Sequence, residues 1–288
     1  MQVWQQQLLC IGSQPSEVSN MQYTQFIALC DSMTEGMNDQ IVDEKYRGWA
    51  DRVADVLAKD NPDFTYMNLA VRGKLLKQVV EDQIPVAVRH VQGPQTLISF
   101  HAGANDVLRP NYKPEISLPQ YEKGVKQLTD TGATFIIFTV VDKVEGKGKT
   151  AKLWHQRFSA FNENIRMVAR KYPTILFEGK KAEFLNTKAF LSFDRLHMNA
   201  EGHKRLANAV LEGLGLPFDP NWKLPPVLEK PQSKLKKKLN NLAWIFVFVI
   251  PWIWRRLRGK SSGDGRSCKY TEPTRWSARL VSPLITIC

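Results

Sequence analysis

Apolar positions fall along the chain in two alternating rhythms. Short apolar or β-branched runs occur at 26–29, 65–69, 96–100, 134–141 and 174–177. A run with no solvated face predicts a buried strand. Between the runs the apolar spacing lengthens to three and four residues. Tyr46, Trp49, Ala50, Val53 and Leu57 then share one helical face. Leu153, Phe158, Phe161, Ile165 and Val168 repeat the pattern more loosely. Leu206, Val210, Leu211 and Leu214 make a third face, closed by glycines at 213 and 215. Strands alternating with helices imply parallel strands joined by right-handed crossovers. The predicted fold class is therefore α/β, a three-layer α/β/α sandwich.

The rhythm stops at Pro217. Prolines 217, 220, 225, 226 and 231 predict an extended linker. The chain divides into a disordered leader over 1–20, one folded domain over 21–216 and a Pro/Lys-rich linker over 217–241. An apolar segment with a basic flank follows over 242–258, then a disordered tail over 259–288. The apolar run 242–254 is too short to span a bilayer, which takes about 20 residues. Trp244, Trp252 and Trp254, with basic clusters at 234–238 and 255–258, suit a headgroup boundary instead. The segment 234–258 is expected to be a shallow anchor on an anionic membrane surface. The competing reading is a helix docked on the main domain or on a second subunit.

Charge sharpens that expectation. The net charge is +12, yet residues 223–288 carry 14 of the 40 Lys and Arg and 3 of the 28 Asp and Glu. The body is nearly neutral and the tail is basic, so the tail suits an anionic partner. Its basic runs are short and flank a strongly apolar stretch, which no nucleic-acid groove requires. The leader lacks the basic start and long apolar core of a signal peptide, which favours the cytoplasmic side, at the inner face of the plasma membrane. Cys10, Cys30, Cys268 and Cys288 form no CxxC pair, so neither a disulfide framework nor a zinc site is expected.

The chemistry begins where the first run breaks, at Cys30-Asp31-Ser32. In an open parallel sheet, a serine just past a strand sits in the crevice where ligands bind. Ser32 is the candidate nucleophile, and a serine needs a base held by a carboxylate. His197 lies in Asp194-Arg195-Leu196-His197, three residues after Asp194, so one loop can bring the carboxylate to Nδ1 and leave Nε2 for the serine. Gly73, after the second run, and Asn105, after the third, offer donors for an oxyanion. His101, Arg72 and Arg109 flank the crevice as candidate substrate contacts. The arginines read more readily as solvated side chains, and His101 at least as readily as structural. The lesser readings are Ser32 as a helix N-cap and Cys30 as the nucleophile. Asp31 and Asp106 are expected to bond local backbone N–H groups, and His203 to be solvated or structural.

Four blocks in order, CDSMTEG at 30–36, the turn ending at Gly73, GAND at 103–106 and DRLH at 194–197, resemble those of the SGNH hydrolases, the GDSL-type esterases and lipases. The resemblance covers about residues 23–215, and the basic, Trp-rich tail is similar to that of actinobacterial members. It implies a flavodoxin-like fold with five central parallel strands. It implies Ser32 as nucleophile, His197 as base and acid, and Asp194 as orienter. The implied oxyanion hole is the Ser32 and Gly73 N–H groups with the Asn105 side chain, without metal or cofactor. The implied activity is that of a serine esterase or lipase-like acyl hydrolase, cleaving a small-molecule or lipid ester through an acyl-enzyme. Cys30 departs from the family's glycine. It alone favours the alternative, a catalytically weak or inactive membrane-associated protein that keeps the hydrolase fold.

Overall fold

The first apolar run forms β1 (Gln25–Cys30), whose six residues are all buried. A computed structural model describes residues 22–140, 148–179, 188–226 and 233–277. The expected leader, part of the linker and the end of the tail lie outside them. β2 (Thr65–Asn68), β3 (Thr96–His101), β4 (Thr134–Phe138) and β5 (Ile175–Phe177) form at the remaining runs. These five strands pair in parallel in the order β5-β4-β3-β1-β2. Cys30 stands opposite His101 in the register, so β1 and β3 open on one edge.

Alternation along β1 builds two cores. Ile27 and Leu29 face the layer of α3 (Pro114–Thr129) and α4 (Lys149–Lys171), meeting Tyr121 and Phe161. Phe26 and Ala28 face α2 (Trp49–Leu57) and α5 (Ala200–Gly213), meeting Trp49 and Val210. The predicted helix faces hold, with local corrections. Tyr46 is not helical: it ends the short strand Lys45–Tyr46, and α2 starts after it, with Gly48 as N-cap. Leu153 is on α4 but 44% exposed, which explains the looser pattern there. Leu214 follows α5, and Gly215 takes the turn at φ +69°.

The larger correction concerns the residues after 217. The expected linker packs its first part on α5: Trp222 is buried, and Arg205 Nη1 donates to the Trp222 and Leu224 carbonyls at 2.6 Å each. Residues 234–241 are helical rather than extended. α6 (Lys234–Trp244), a π turn at Ile245–Val249 and α7 (Ile250–Leu257) run on from one another. The widened turn lies just before Pro251, whose ring cannot donate to the carbonyl four residues back. No helix among the described residues is long and apolar enough to cross a membrane.

The expected disorder from 259 onward fails over the described part. β6 (Tyr270–Arg275) joins the sheet as a sixth strand, antiparallel to β2. Tyr270 and Trp276 are buried and meet Tyr66 with ring centroids 5.6 and 4.8 Å away. Lys269 Nζ donates to Asp51 at 2.5 Å and to the Tyr46 carbonyl at 2.9 Å, and Trp276 Nε1 donates to Asp55 at 2.9 Å. Two aromatics and one buried ion pair thus anchor a stretch whose composition reads as loose tail.

Candidate active site

β1 delivers the chain to the sheet edge, and a one-turn helix, α1 (Ser32–Glu35), starts there. Its N-cap is Asp31, whose carboxylate accepts from the Met33 N–H at 3.3 Å, so Ser32 is the first helical residue and not the cap. The first intrahelical bond runs from the Glu35 N–H to the Asp31 carbonyl at 2.9 Å. The Ser32 N–H is therefore not consumed within the helix.

The loop before α5 is closed by its own backbone. The Ser192 N–H donates to the His197 carbonyl at 2.8 Å, and Arg195 makes the turn at φ +59°. Asp194 Oδ1 accepts the Leu196 and His197 N–H groups, both at 2.9 Å. Its Oδ2 lies 2.7 Å from His197 Nδ1 and accepts from Asn38 Nδ2 at 2.7 Å. A carboxylate facing Nδ1 assigns the proton to that nitrogen. His197 Nε2 is then free to accept from Ser32 Oγ, 2.9 Å away. Burial alone would raise the Asp194 pKa, but the hydrogen bond and charge of His197 and the two N–H groups outweigh it and hold it at about 2. The carboxylate stays ionised and acceptor-only, as an orienter must.

The two candidate backbone donors are tied together. Arg72 N–H donates to Glu35 Oε2 at 2.6 Å and Arg72 Nε to Glu35 Oε1 at 2.9 Å, with a further Nη2 bond to Oε1. Glu35 ends the helix that Ser32 begins, and Arg72 precedes Gly73. The Asn105 amide is fixed by Asp31, its Nδ2 donating to Oδ2 at 2.8 Å and to the Lys74 carbonyl at 3.1 Å. An oxyanion would compete with that carbonyl for a hydrogen already beside Gly73.

The flanking candidates fare differently. Arg72 is committed to Glu35 and the Tyr46 ring, 5.2 Å from its guanidinium, rather than to the crevice. Arg109 gives its carbonyl to Arg157 Nη1 at 2.8 Å, and no contact among the described residues brings it to Ser32. His101 packs on Phe138 at 5.3 Å, and burial pulls its pKa down to about 4, so the ring is neutral. His203 is structural: it is fully buried, its Nε2 bonds the Met37 carbonyl at 3.1 Å, and burial lowers its pKa to about 3. Asp106 bonds a distant backbone group, accepting the Leu76 N–H at 2.8 Å. Burial and the nearby Asp31 charge raise its pKa to about 6, although the Leu76 bond opposes them.

Cys30 is buried, and burial pushes its thiol pKa well up, which suits a structural thiol rather than a nucleophile. Its φ of 157° lies in the region favoured by glycine, and its Sγ crowds the His101 carbonyl. Gln83 brackets it, accepting the Cys30 N–H at 3.0 Å and donating to the Cys30 carbonyl at 2.9 Å. Glu35, Asn38 and Gln83 escape the sequence reading because their partners lie 37, 156 and 53 residues away. Trp244 escapes it too. Its Nε1 donates to the Asp194 carbonyl at 3.0 Å, and Arg195 lies over its ring at 4.5 Å and donates to Asn241 at 2.6 Å. The helix of the expected anchor thus leans on the loop that carries Asp194. Among the described residues no group of three or more His, Cys, Asp or Glu could hold a metal ion.

Solved structures share this fold. An acetyl-xylooligosaccharide esterase variant from Geobacillus stearothermophilus superposes with a TM-score of 0.52 at 19% identity, covering 67% of this chain and 95% of its own. A member of the lipolytic G-D-S-L family from Veillonella parvula gives 0.51 at 18% identity, covering 65% and 96%. An alpha/beta hydrolase enzyme from the metagenome of Lake Arreo gives 0.51 at 20% identity, covering 68% and 98%. At these identities the likeness is one of fold. No curated protein matches the chain by sequence. Residues 28–205 match the profile of the GDSL-like lipase/acylhydrolase family, a span that takes in Ser32, Gly73, Asn105, Asp194 and His197. The chain belongs to that family and is a serine ester hydrolase.

Proposed function

We propose that this hydrolase works through Ser32, His197 and Asp194 on esters presented at an anionic membrane surface. Ser32 Oγ attacks the ester carbonyl while its proton passes to His197 Nε2. The carbonyl oxygen becomes an oxyanion beside the Ser32 and Gly73 N–H groups and the Asn105 amide. His197 then protonates the leaving alcohol, and water repeats the sequence on the acyl-enzyme. The observation that carries this is the unbroken series from Ser32 Oγ to His197 Nε2 at 2.9 Å and from Nδ1 to Asp194 at 2.7 Å. The test is hydrolysis of short-chain chromogenic esters. Ser32→Ala should abolish turnover; a variant as active as the wild type ends the assignment.

The membrane part is supported by the helix at 234–257. Leu239, Leu242, Phe246, Val247, Ile250 and Trp254 are exposed along it. Lys234, Lys236, Lys237 and Lys238 precede the apolar side chains, and Arg255 and Arg258 follow them. An exposed apolar surface between cationic clusters fits a headgroup layer of negative charge. Truncation is a poor test, since a chain ending before the helix also loses β6. Flotation with phosphatidylglycerol vesicles should carry the full chain up and leave Phe246→Glu/Ile250→Glu behind; equal flotation sinks the membrane reading. A second reading, a catalytically weak protein of this fold, is favoured by the crowded Cys30. Feeble wild-type turnover that rises severalfold in Cys30→Gly, alongside full vesicle binding in the wild type, would support it.

A further inference from the structure

The segment after α7 returns to the candidate active site. Ser261 Oγ donates to the Gly73 carbonyl at 3.2 Å and accepts the Gly263 N–H at 3.3 Å. Gly263 lies so close to the Arg72 carbonyl that a Cβ there would overlap the oxygen. A Cβ on Gly73 would in turn overlap Ser261 Oγ. Beyond this contact, Lys269, β6 and Trp276 hold the segment on Asp51, β2 and Asp55.

The contacts fall on two consecutive peptide groups: Gly263 meets the carbonyl of the Arg72–Gly73 peptide, and Ser261 bonds the carbonyl of the Gly73–Lys74 peptide that follows. The Arg72 carbonyl and the Gly73 N–H belong to the same planar unit. That unit is the centre of the turn Val71–Lys74, closed by the Lys74 N–H on the Val71 carbonyl at 3.3 Å. Gly73 sits at φ +76°. Four-residue turns with a glycine third come in two forms that differ by a flip of this central peptide. With the Gly73 N–H as the oxyanion donor proposed above, the flip would turn that N–H about and put a carbonyl oxygen in its place. Glu35 fixes the turn from one side, through the Arg72 N–H and side chain. On the other side Gly263 blocks the Arg72 oxygen and Ser261 holds the Gly73 oxygen.

We propose that Ser261 and Gly263 are positioning residues for the ester-cleaving reaction, holding the peptides on either side of the Gly73 Cα, Gly263 against the Arg72 carbonyl and Ser261 on the Gly73 carbonyl, so that the Gly73 N–H is kept for the oxyanion. This rests on the function proposed above. Ser261 and Gly263 lie outside the residues that match the family, so the chain's C-terminal segment completes the site that the domain begins. Glycine at 263 is the one residue that permits the approach, and the serine hydroxyl supplies the bond.

The test compares kcat, KM and inhibition by phenyl trifluoromethyl ketone in the full-length protein. Ser32 Oγ adds to the ketone carbon, its proton moves to His197, and the ketone oxygen becomes an oxyanion in the hole. Gly263→Ala should lower kcat about tenfold or more, leave KM within about twofold and weaken the ketone by the factor lost from kcat. Ser261→Ala should do the same to a lesser degree, and Ser261→Thr should restore it. Trp276→Phe loosens the same segment away from the turn and should lower Tm without touching kcat. The clamp is overturned by wild-type kinetics in Gly263→Ala, or by a kcat loss in Trp276→Phe matching that of Gly263→Ala at equal Tm. If Gly263→Ala does not fold, the Ser261 pair decides. A wild type that cleaves no ester ends the proposed function instead. Hydrogen exchange at the Gly73 amide then judges the clamp by itself: faster exchange in Ser261→Ala supports it, and unchanged exchange overturns it.

Discussion

Asp194 and Asp51 are both buried carboxylates that hold a basic side chain, at 2.7 Å to His197 and 2.5 Å to Lys269. Their settings differ. Asp194 and His197 ride on one loop three residues apart, and the imidazole keeps its second nitrogen for Ser32. Asp51 and Lys269 are 218 residues apart, and Lys269 also donates to the Tyr46 carbonyl. Asp51 also accepts from the Tyr66 hydroxyl at 2.7 Å and the Gly48 N–H at 3.2 Å. A buried carboxylate and its basic partner can serve chemistry only when that partner retains an atom facing a reactant. Otherwise the pair closes the chain on itself.

Breaking the first pair should therefore cost rate and spare the fold. His197→Ala is expected to lower kcat on the order of 10⁴–10⁶-fold. Asp194→Asn should lower it about 10²–10⁴-fold, since an amide cannot fix the imidazole tautomer as a carboxylate does. The urea midpoint of His197→Ala should shift little, and that of Asp194→Asn only by the contribution that its lowered pKa carries. A His197→Ala enzyme with near-native turnover would remove the distinction between the two pairs.

Breaking the second pair should do the reverse. Lys269→Met leaves Asp51 charged and buried without its cation, a change that typically costs about 3–5 kcal/mol. The urea midpoint should fall accordingly, while kcat of the still-folded protein at 25 °C stays native. A native midpoint in Lys269→Met would mean that β6 is held by Tyr270 and Trp276 without help from the ion pair.

The same contrast explains what the sequence made legible. Asp194 and His197 could be paired on paper because the loop brings them together by itself. The five parallel strands could be placed because most of their residues are buried on both faces and leave short, mainly apolar or β-branched runs. β6 could not. Tyr-Thr-Glu-Pro-Thr-Arg has five exposed or half-buried positions in six, and its partners at Tyr66 and Asp51 lie some two hundred residues earlier. Glu35, Asn38 and Gln83 were silent for the same reason, each a polar residue whose use depends on a distant contact. The 242–254 run was visible as apolar, but its lean on Asp194 through the Trp244 N–H has no sequence signature.

Acid separates the groups further. His101 and His203 are held neutral by burial, with pKa values lowered from 6.5 to about 4 and about 3. The unfolded chain protonates first, so stability falls as pH drops below about 6.5. Asp194 is shifted from 3.8 to about 2, so its contribution is present above about pH 4 and lost only as pH falls toward 2. An acid titration of stability should show the histidine stage before the carboxylate stage. His203→Gln, which keeps a donor for the Met37 carbonyl, should recover up to about 3 kcal/mol at pH 4 relative to wild type. An unchanged acid profile in this variant would assign the first stage elsewhere.

The smallest effect lies at Cys30, where strand and site meet. A non-glycine residue at φ 157° costs on the order of 1–3 kcal/mol, held here by the Gln83 amide on both sides of the residue. Cys30→Gly removes that strain and the crowding of Sγ against the His101 carbonyl, but it frees the unfolded chain by about 0.5–1 kcal/mol. The net expectation is a gain of about 1 kcal/mol, read as a higher urea midpoint. Ser32 is two residues on, and its bond to His197 is already formed at 2.9 Å with the cysteine in place. Turnover should therefore change less than stability does. A large rise in kcat with no gain in midpoint would reverse that ranking, and would show that the strain is borne by the nucleophile's turn rather than by the end of β1.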